Sequence, residues 1–376
     1  MELPSYFTDF LKEIRPQTNH VNDMRTGHRT LRTRLQDDET LAPIIVSTFL
    51  QGSYRRATAV RPKGESRSDV DVIVVTKLSR DEYADPHSAM KVFEPFLEKH
   101  YKGKYRYQGR SIGIELSYVD LDLVVTAAPS EEEEGCLTAN AVVTEDSPEE
   151  SDDWRLVPSW VAVENRSAAT FNLLKEAKAQ AEWQLSPLWI PNREAKVWEE
   201  THPLAQIQWT FGKNARTNRH YVNVVKALKW WRRVHHPDGQ PKGYPVEHLI
   251  GACCPDGIKS VAAGVVQTLE SFVNSYRAMA ILKQTPFLGD HGVPAHNVWG
   301  RITGEEFATF HAQAAAAAAT ARAAYDEEDL KQSVLLWRKL FGNEFPPAPD
   351  DGGGSSKGGG FSPRQEPSVV GGGRFA

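Results

Sequence analysis

Two aspartates separated by one residue carry the strongest chemical signal in this sequence. Asp69 and Asp71 begin an apolar, β-branched run that continues to Val75, and such a run predicts a β-strand. Because side chains alternate across a strand, the two carboxylates project from the same face. Adjacent carboxylates repel each other and are rarely buried without a cation between them. Oxygen ligands of this kind suit Mg²⁺, so the spacing predicts a magnesium site.

A Gly-Ser turn precedes this acidic strand. Residues 44–50 form an apolar, β-branched run that predicts a strand leading directly into Gly52 and Ser53. A turn that opens a short helix presents backbone N–H groups, which bind phosphate well. A phosphate site beside a magnesium site indicates nucleotide chemistry.

A third acidic strand is predicted at residues 119–127. Its two carboxylates, Asp120 and Asp122, share one face of the strand, so either could complete the metal site. The alternative is an edge strand whose carboxylates are hydrated. The other acidic pair and the Gly-Ser turn make that alternative the weaker interpretation.

An extended motif surrounds these residues. The pattern of a Gly-Ser turn, two aspartates one residue apart and a later strand aspartate resembles that of the polymerase-β-like nucleotidyltransferase superfamily. Within it, residues 49–62, FLQGSYRRATAVRP, resemble the bacterial cGAS/DncV-like nucleotidyltransferases, or CD-NTases. Residues 202–207 and 229–232 are similar to clade D of that family. The resemblance extends from about residue 1 to 346.

The resemblance implies an α+β fold. A polymerase-β-like nucleotidyltransferase lobe, with a mixed sheet and flanking helices, would be joined to a helical OAS/PAP-like lobe across a cleft. We expect residues 1–200 to form the catalytic lobe, with an N-terminal bridging helix and an acidic insertion at 130–153. Residues 201–345 would form the helical nucleotide-binding lobe, and the Gly-rich residues 346–376 a disordered tail.

The family pattern also assigns roles to individual residues. It selects Asp122 as the third carboxylate, because an aspartate there leads directly into an apolar run. Asp69, Asp71 and Asp122 would bind two Mg²⁺ ions, and Asp122 could accept the proton of the attacking 3′-hydroxyl. The residues expected to bind the nucleotide are Gln51, Gly52, Ser53, Lys229 and Tyr244.

The activity implied by the resemblance is the joining of ATP and GTP into a cyclic oligonucleotide, with release of pyrophosphate. Cyclic AMP-AMP-GMP is one candidate product. Such second messengers activate an effector protein in CBASS antiphage defence. Two alternatives stay open: a template-independent nucleotidyltransferase acting on RNA, and a nucleotide-binding pseudoenzyme that acts through a conjugated tail.

The tail suggests a second kind of partner. It ends at Ala376 after a run of small residues, and many CBASS synthases are conjugated through their C-terminus by an E1/E2-like enzyme. Ala376 would then be the conjugated residue, although it departs from the glycine of ubiquitin. The alternative is a tail that is disordered and has no partner.

Composition sets the remaining limits. The 376-residue chain has a net charge of −5, which gives no support for binding long nucleic acid. Its three cysteines indicate neither a disulfide framework nor a zinc site. The sequence has no secretion signal and no apolar run long enough to cross a membrane, so we expect a cytoplasmic bacterial protein.

Overall fold

The computed structural model describes residues 1–64, 66–127 and 187–349 of the chain. These residues form an α+β fold with one five-stranded sheet. The sheet order is β1-β2-β5-β4-β3, and its strands are β1 (Ile45–Gln51), β2 (Ser68–Thr76), β3 (Tyr105–Tyr107), β4 (Ile112–Glu115) and β5 (Val119–Val125). Strands β2 and β5 run parallel, and each of the other neighbouring pairs is antiparallel.

Side-chain alternation divides the sheet into two faces. Val72 and Val74 of β2 enter a large buried cluster, whereas Ile73 belongs to a second, smaller cluster on the opposite face. Asp69 and Asp71 have the same parity as Ile73, so they project from the face that carries the smaller cluster.

Helices from the first part of the chain cover the face with the larger cluster. Helix α2 contributes Met24, Leu31 and Leu35, and α5 contributes Phe96 and Leu97. The helices before and between the strands are α1 (Pro4–Ile14), α2 (Thr18–Gln36), α3 (Gly52–Arg55), α4 (Pro86–Lys91) and α5 (Glu94–Tyr101). The four-residue helix α3 follows β1 without a break, as the Gly-Ser turn predicted.

The C-terminal described residues begin with a hairpin and continue as helices. Antiparallel strands β6 (Leu188–Asn192) and β7 (Val197–Thr201) form a two-stranded sheet. Six helices follow: α6 (Pro203–Arg216), α7 (Tyr221–His235), α8 (Gly243–Cys253), α9 (Val261–Ile281), α10 (Gly304–Asp326) and α11 (Leu330–Phe341). Among the described helices, none is long and apolar enough to span a bilayer.

The structure adds two elements that the sequence pattern does not resolve, and it differs from one expectation. Residues 188–192 form strand β6 of the hairpin, and residues 304–341 contain two helices, α10 and α11, rather than one. Helix α1, expected in the catalytic lobe, instead packs in the core of the helical part, where Phe7 and Phe10 meet Trp337 and Phe341.

Candidate active site

Three aspartates meet at one end of the parallel strand pair. Residue Asp71 of β2 lies opposite Asp122 of β5 in the register of the sheet, and Asp69 is two residues earlier on the same face. Oxygen atoms of the three carboxylates all lie within 4.8 Å of one another. Parallel pairing of two acidic strands therefore builds a cluster of oxygen ligands from residues that are about fifty positions apart.

This cluster is electrostatically costly without a cation. Burial and the neighbouring carboxylates raise the pKa of Asp69 and of Asp71 well above the ordinary value. Burial also raises the pKa of Asp122, although its hydrogen bond to Ser111 opposes the shift. Because like charges at this separation disfavour ionisation, the three groups are suited to share a positive ion.

Asp120 takes a different role from its neighbour on β5. Its carboxylate accepts a 2.7 Å hydrogen bond from Nε of Arg67 and is absent from the oxygen cluster. Of the two aspartates that the strand pattern left open, Asp122 is therefore the one that joins Asp69 and Asp71.

The Gly-Ser turn lies directly against this cluster. Gly52 has φ of +73°, and a Cβ at this position would stand 1.8 Å from Oδ2 of Asp71. Only glycine combines this backbone conformation with such a close approach. Ser53 follows in the first turn of α3, and both residues line the same cavity as the three aspartates.

The cavity is large enough for nucleotides. It has a volume of about 940 Å³ and lies between the sheet and the helical part. Every site residue predicted among the described residues lines it: Gln51, Gly52, Ser53, Asp69, Asp71, Asp122, Lys229 and Tyr244. The acidic insertion predicted at 130–153 and the chain from residue 350 onward, including Ala376, lie outside the described residues.

Lys229 reaches the cavity from helix α7. Its Nζ donates a 3.1 Å hydrogen bond to the carbonyl of Thr58 and lies 3.6 Å from Oε2 of Glu247. Burial lowers the pKa of Lys229, and Glu247 partly offsets that effect. Lys229 is also close enough to Asp69 and Asp71 to lower the pKa of both.

A buried ion pair joins the Gly-Ser turn to the helical part. Nε of Arg56, the residue after α3, donates a 2.7 Å hydrogen bond to Glu247 of α8, which also accepts one of 2.8 Å from Thr58. Burial alone would raise the pKa of Glu247, but Arg56 and Lys229 lower it to about 2. Sequence reasoning missed this pair; the one available signal was a carboxylate inside the apolar stretch of α8.

Tyr244 lines the cavity at the start of α8. Its hydroxyl donates to Asp290 and accepts a 2.7 Å hydrogen bond from Nε2 of Gln206. Asp290 belongs to the polar loop at 288–298, and it also accepts bonds from the backbone N–H groups of Gly292 and Val293. These contacts fix the phenol, while 38% of the residue stays exposed.

Known proteins resemble this chain over its whole length. Residues 1–141 match the family described as Second Messenger Oligonucleotide or Dinucleotide Synthetase domain. A protein of Enterobacter hormaechei subsp. hoffmannii (strain UCI 50), named Cyclic AMP-AMP-GMP synthase, is 45% identical over the full length of both chains. A Salmonella paratyphi B protein, named Probable cyclic AMP-AMP-GMP nucleotide synthase, is 46% identical over 92% of both.

Solved structures share the fold at low sequence identity. The Bradyrhizobium diazoefficiens CD-NTase CdnG in complex with GTP has a TM-score of 0.63 at 12% identity, covering 90% of this chain and 94% of its own. CdnC of E. coli MS115-1, in its complex with HORMA-deltaN, has a TM-score of 0.60 at 15% identity, covering 92% and 99%. These likenesses confirm the predicted α+β architecture.

The carboxylate cluster, the Gly-Ser turn and the shared cavity are thus found in a chain with close, full-length relatives among the synthases. The chain belongs to the Second Messenger Oligonucleotide or Dinucleotide Synthetase family, the CD-NTases that its motif resembles, and it is a nucleotidyltransferase that makes cyclic oligonucleotides.

Proposed function

We propose that this chain joins two ATP and one GTP into cyclic AMP-AMP-GMP. One pyrophosphate leaves for each phosphodiester bond formed. The observation that carries the choice of product is that the two relatives at 45% and 46% identity are named for it. The bond-forming chemistry is supported by the three carboxylates that face the Gly-Ser turn in one cavity.

We assign the carboxylate cluster to Mg²⁺, with two ions per site. The donor set consists of carboxylate oxygens, which Mg²⁺ prefers, and the raised pKa values of Asp69 and Asp71 reflect negative charge that the protein alone does not balance. When bound, the ions would polarise the α-phosphate and favour ionisation of the attacking ribose hydroxyl. The other contributions come from the side chains and backbone of the chain.

The protein residues position the reacting groups. Backbone N–H groups at Gly52 and Ser53 hold the phosphates, and Lys229 offsets their charge from the helical side. The ribose oxygen bonds to the α-phosphorus, the bond to pyrophosphate breaks, and the hydroxyl proton passes to the carboxylate of Asp122. Asp122 suits this step because its carboxylate lies in the oxygen cluster at the cavity, within reach of a hydroxyl bound there.

Gln51 and Tyr244 complete the proposed nucleotide site. Both line the cavity, and the hydrogen bonds of Tyr244 to Gln206 and Asp290 fix its hydroxyl while 38% of the residue stays exposed. An aromatic ring held in this way suits contact with a planar base.

Mass spectrometry of the product tests the proposal. The chain is incubated with Mg²⁺ and the four NTPs, singly and together, and the reaction is then treated with phosphatase. A phosphatase-resistant cyclic trinucleotide that needs both ATP and GTP supports the proposal. A ladder of linear products would identify the template-independent polymerase instead, and nucleotide binding without turnover would identify the pseudoenzyme.

We also propose a role in CBASS antiphage defence in the bacterial cytoplasm, where the soluble product would reach an effector protein. The CdnC structure in complex with HORMA-deltaN supports looking for a protein partner as well. An E1/E2-like enzyme acting at Ala376 is the partner that the tail suggests. Co-expression with such an enzyme tests this idea: deletion of Phe375 and Ala376 should abolish any covalent adduct, and adducts that persist would exclude conjugation there.

A further inference from the structure

One cation of the cavity differs from the others in having no acidic partner in the part of the chain that the structure describes. Within the described residues, the cavity is lined by six lysine and arginine side chains. Five of them lie within 4.0 Å of a carboxylate: Arg56 and Lys229 of Glu247, Arg67 of Asp120, Arg110 of Glu199, and Arg301 of Glu194. The sixth, Arg233, has no carboxylate within that distance among the described residues.

Arg233 lies one helical turn after Lys229 on α7, and residues four apart share a helix face. Its Nη1 donates to the carbonyl of Arg61, just as Lys229 donates to the carbonyl of Thr58. The two cations therefore contact successive points of the segment that leads away from Ser53.

The nearby negative charge acts on Arg56 and Lys229 rather than on Arg233. Glu247 lies within 4.0 Å of both Arg56 and Lys229, and Lys229 also interacts with Asp69 and Asp71. Burial lowers the pKa of Arg233, and Arg233 in turn lowers the pKa of Lys229. A partly buried charge without an opposite charge beside it is unfavourable, so Arg233 is suited to bind an anion that enters the cavity.

We propose that Arg233 binds the terminal phosphate of the incoming nucleoside triphosphate. This inference rests on the proposed function, in which the backbone at Gly52 and Ser53 holds the phosphates and Lys229 offsets their charge. A guanidinium presents a planar fork of donors that matches phosphate oxygens. Arg233 would therefore make the site prefer triphosphates, the form that can release pyrophosphate, over diphosphates.

Calorimetric binding of ATP and ADP, each with Mg²⁺, tests the assignment. The variant is Arg233→Gln and the matched control is Arg232→Gln, because Arg232 bonds the carbonyls of Pro237 and Gly239 and does not line the cavity. A hydrogen bond to a charged group contributes about 1.5–3 kcal/mol. The preference of the wild type for ATP should therefore fall about tenfold or more in Arg233→Gln and stay unchanged in Arg232→Gln.

Two results would overturn the inference: a wild type that binds ATP and ADP equally, or an Arg233→Gln variant that weakens both by the same factor. If Arg233→Gln does not fold, Arg233→Met replaces it, because it also removes the charge while keeping a long side chain, and an unchanged preference for ATP then counts against the assignment. Product formation by the wild type is measured separately. An unchanged ATP preference in a variant of an active synthase refutes only the role of Arg233, whereas a wild type that makes no cyclic product refutes the proposed function.

Discussion

At the scale of single residues, we expect the three aspartates to be required for activity and to lower the stability of the fold when no cation is bound. Their carboxylate oxygens lie within 4.8 Å of one another, and each has a raised pKa. We expect Asp71→Asn to lower the rate of cyclic product formation by at least about 10³-fold, since about 4 kcal/mol of transition-state stabilisation would be lost. The fold should be retained. Product formation is measured by mass spectrometry, with circular dichroism as the check on folding.

The matched control is Asp120→Asn on the same face of β5. Asp120 bonds to Arg67 at the surface and does not join the oxygen cluster, so this variant should keep most of its activity. Equal losses in the two variants would contradict the assignment of the cluster.

The raised pKa of Asp71 predicts how the stability of the fold depends on pH when divalent cations are removed. A carboxyl whose pKa is raised by folding binds more protons in the folded state, so stability falls as pH rises from its unfolded value through its folded value. Wild-type stability in EDTA should therefore decline from acidic to neutral pH. Asp71→Asn should show a smaller decline and unfold at equal or higher urea concentration at pH 7.5. A variant less stable than wild type at that pH would contradict this prediction.

Spacing alone could identify two of the three acidic residues. Asp69 and Asp71 are two positions apart in one strand, so alternation put them on one face. It did the same for Asp120 and Asp122, and the family pattern was needed to select Asp122. The residue that separates the roles of that second pair is Arg67, whose contact with Asp120 spans 53 positions in the chain, beyond the reach of any local pattern.

At the scale of elements, the turn between β1 and α3 leaves no room for a side chain at Gly52, and a substitution there tests whether this close contact is required for activity. Gly52→Ala would place a methyl group 1.8 Å from the Asp71 carboxylate and add a cost of roughly 1–2 kcal/mol for the left-handed backbone. We expect this variant to lose nearly all synthesis. Gly103→Ala is the control, because Gly103 has φ of +69° but nothing within 4 Å of a new Cβ. Gly103→Ala should lose a similar amount of folding stability through its left-handed backbone but keep its activity. Loss of activity in both variants would contradict the steric explanation.

The contact between α3 and α8 depends on the buried pair of Arg56 and Glu247. Breaking such a pair leaves an uncompensated buried charge, which costs about 3–5 kcal/mol. Glu247→Gln should therefore unfold at much lower urea concentration at pH 7. Glu305→Gln removes an exposed partner of Lys283 and should cost only about 0–1 kcal/mol. Similar losses in the two variants would contradict the importance of burial.

The contribution of the Arg56–Glu247 pair to folding stability depends on pH in the opposite direction to that of the three aspartates. The folded state lowers the pKa of Glu247 to about 2 from an ordinary value of 4.5. Its contribution to stability is thus present above the ordinary value and is lost as pH falls towards 2. The stability difference between wild type and Glu247→Gln should shrink as the solution is acidified, and a difference that grows in acid would contradict the assigned ion pair.

Elements with a clear sequence period were predictable, and those set by tertiary contacts were not. The apolar runs of β1 and β2 identified both strands. Strand β6 contains Pro191, which is unfavourable inside a sheet but tolerated in an edge strand. The break between α10 and α11 is marked by Asp329, whose side chain caps α11.

At the scale of the whole molecule, the order of the chain and the division into cores do not coincide. Helix α1 precedes the sheet in sequence but packs with α7 and α11 in the helical core. An amphipathic pattern shows that a helix has a buried face, and it does not show which core receives that face. The family resemblance implied two lobes, a cleft and a bridging N-terminal helix, whereas the helical pattern alone does not show that α1 packs in the helical core.

Because the cavity lies between the two parts, a bound nucleotide should stabilise both together. Ser53 belongs to the sheet side and Lys229 to the helical side. A ligand at one hundred times its Kd stabilises a protein by about 2.7 kcal/mol. ATP with Mg²⁺ should therefore raise the unfolding temperature of the wild type in a single transition. Lys229→Met should lose most of this increase, because the buried Lys229 would no longer offset the phosphate charge from the helical side.

The control for that measurement is Lys283→Met, which removes an exposed lysine paired with Glu305 away from the cavity. Its ATP-dependent increase should equal that of the wild type. If Lys229→Met keeps the full increase, nucleotide binding does not depend on Lys229. If instead ATP separates unfolding into two transitions, with only one moving to higher temperature, the nucleotide binds one part alone and the cavity does not act as a shared site.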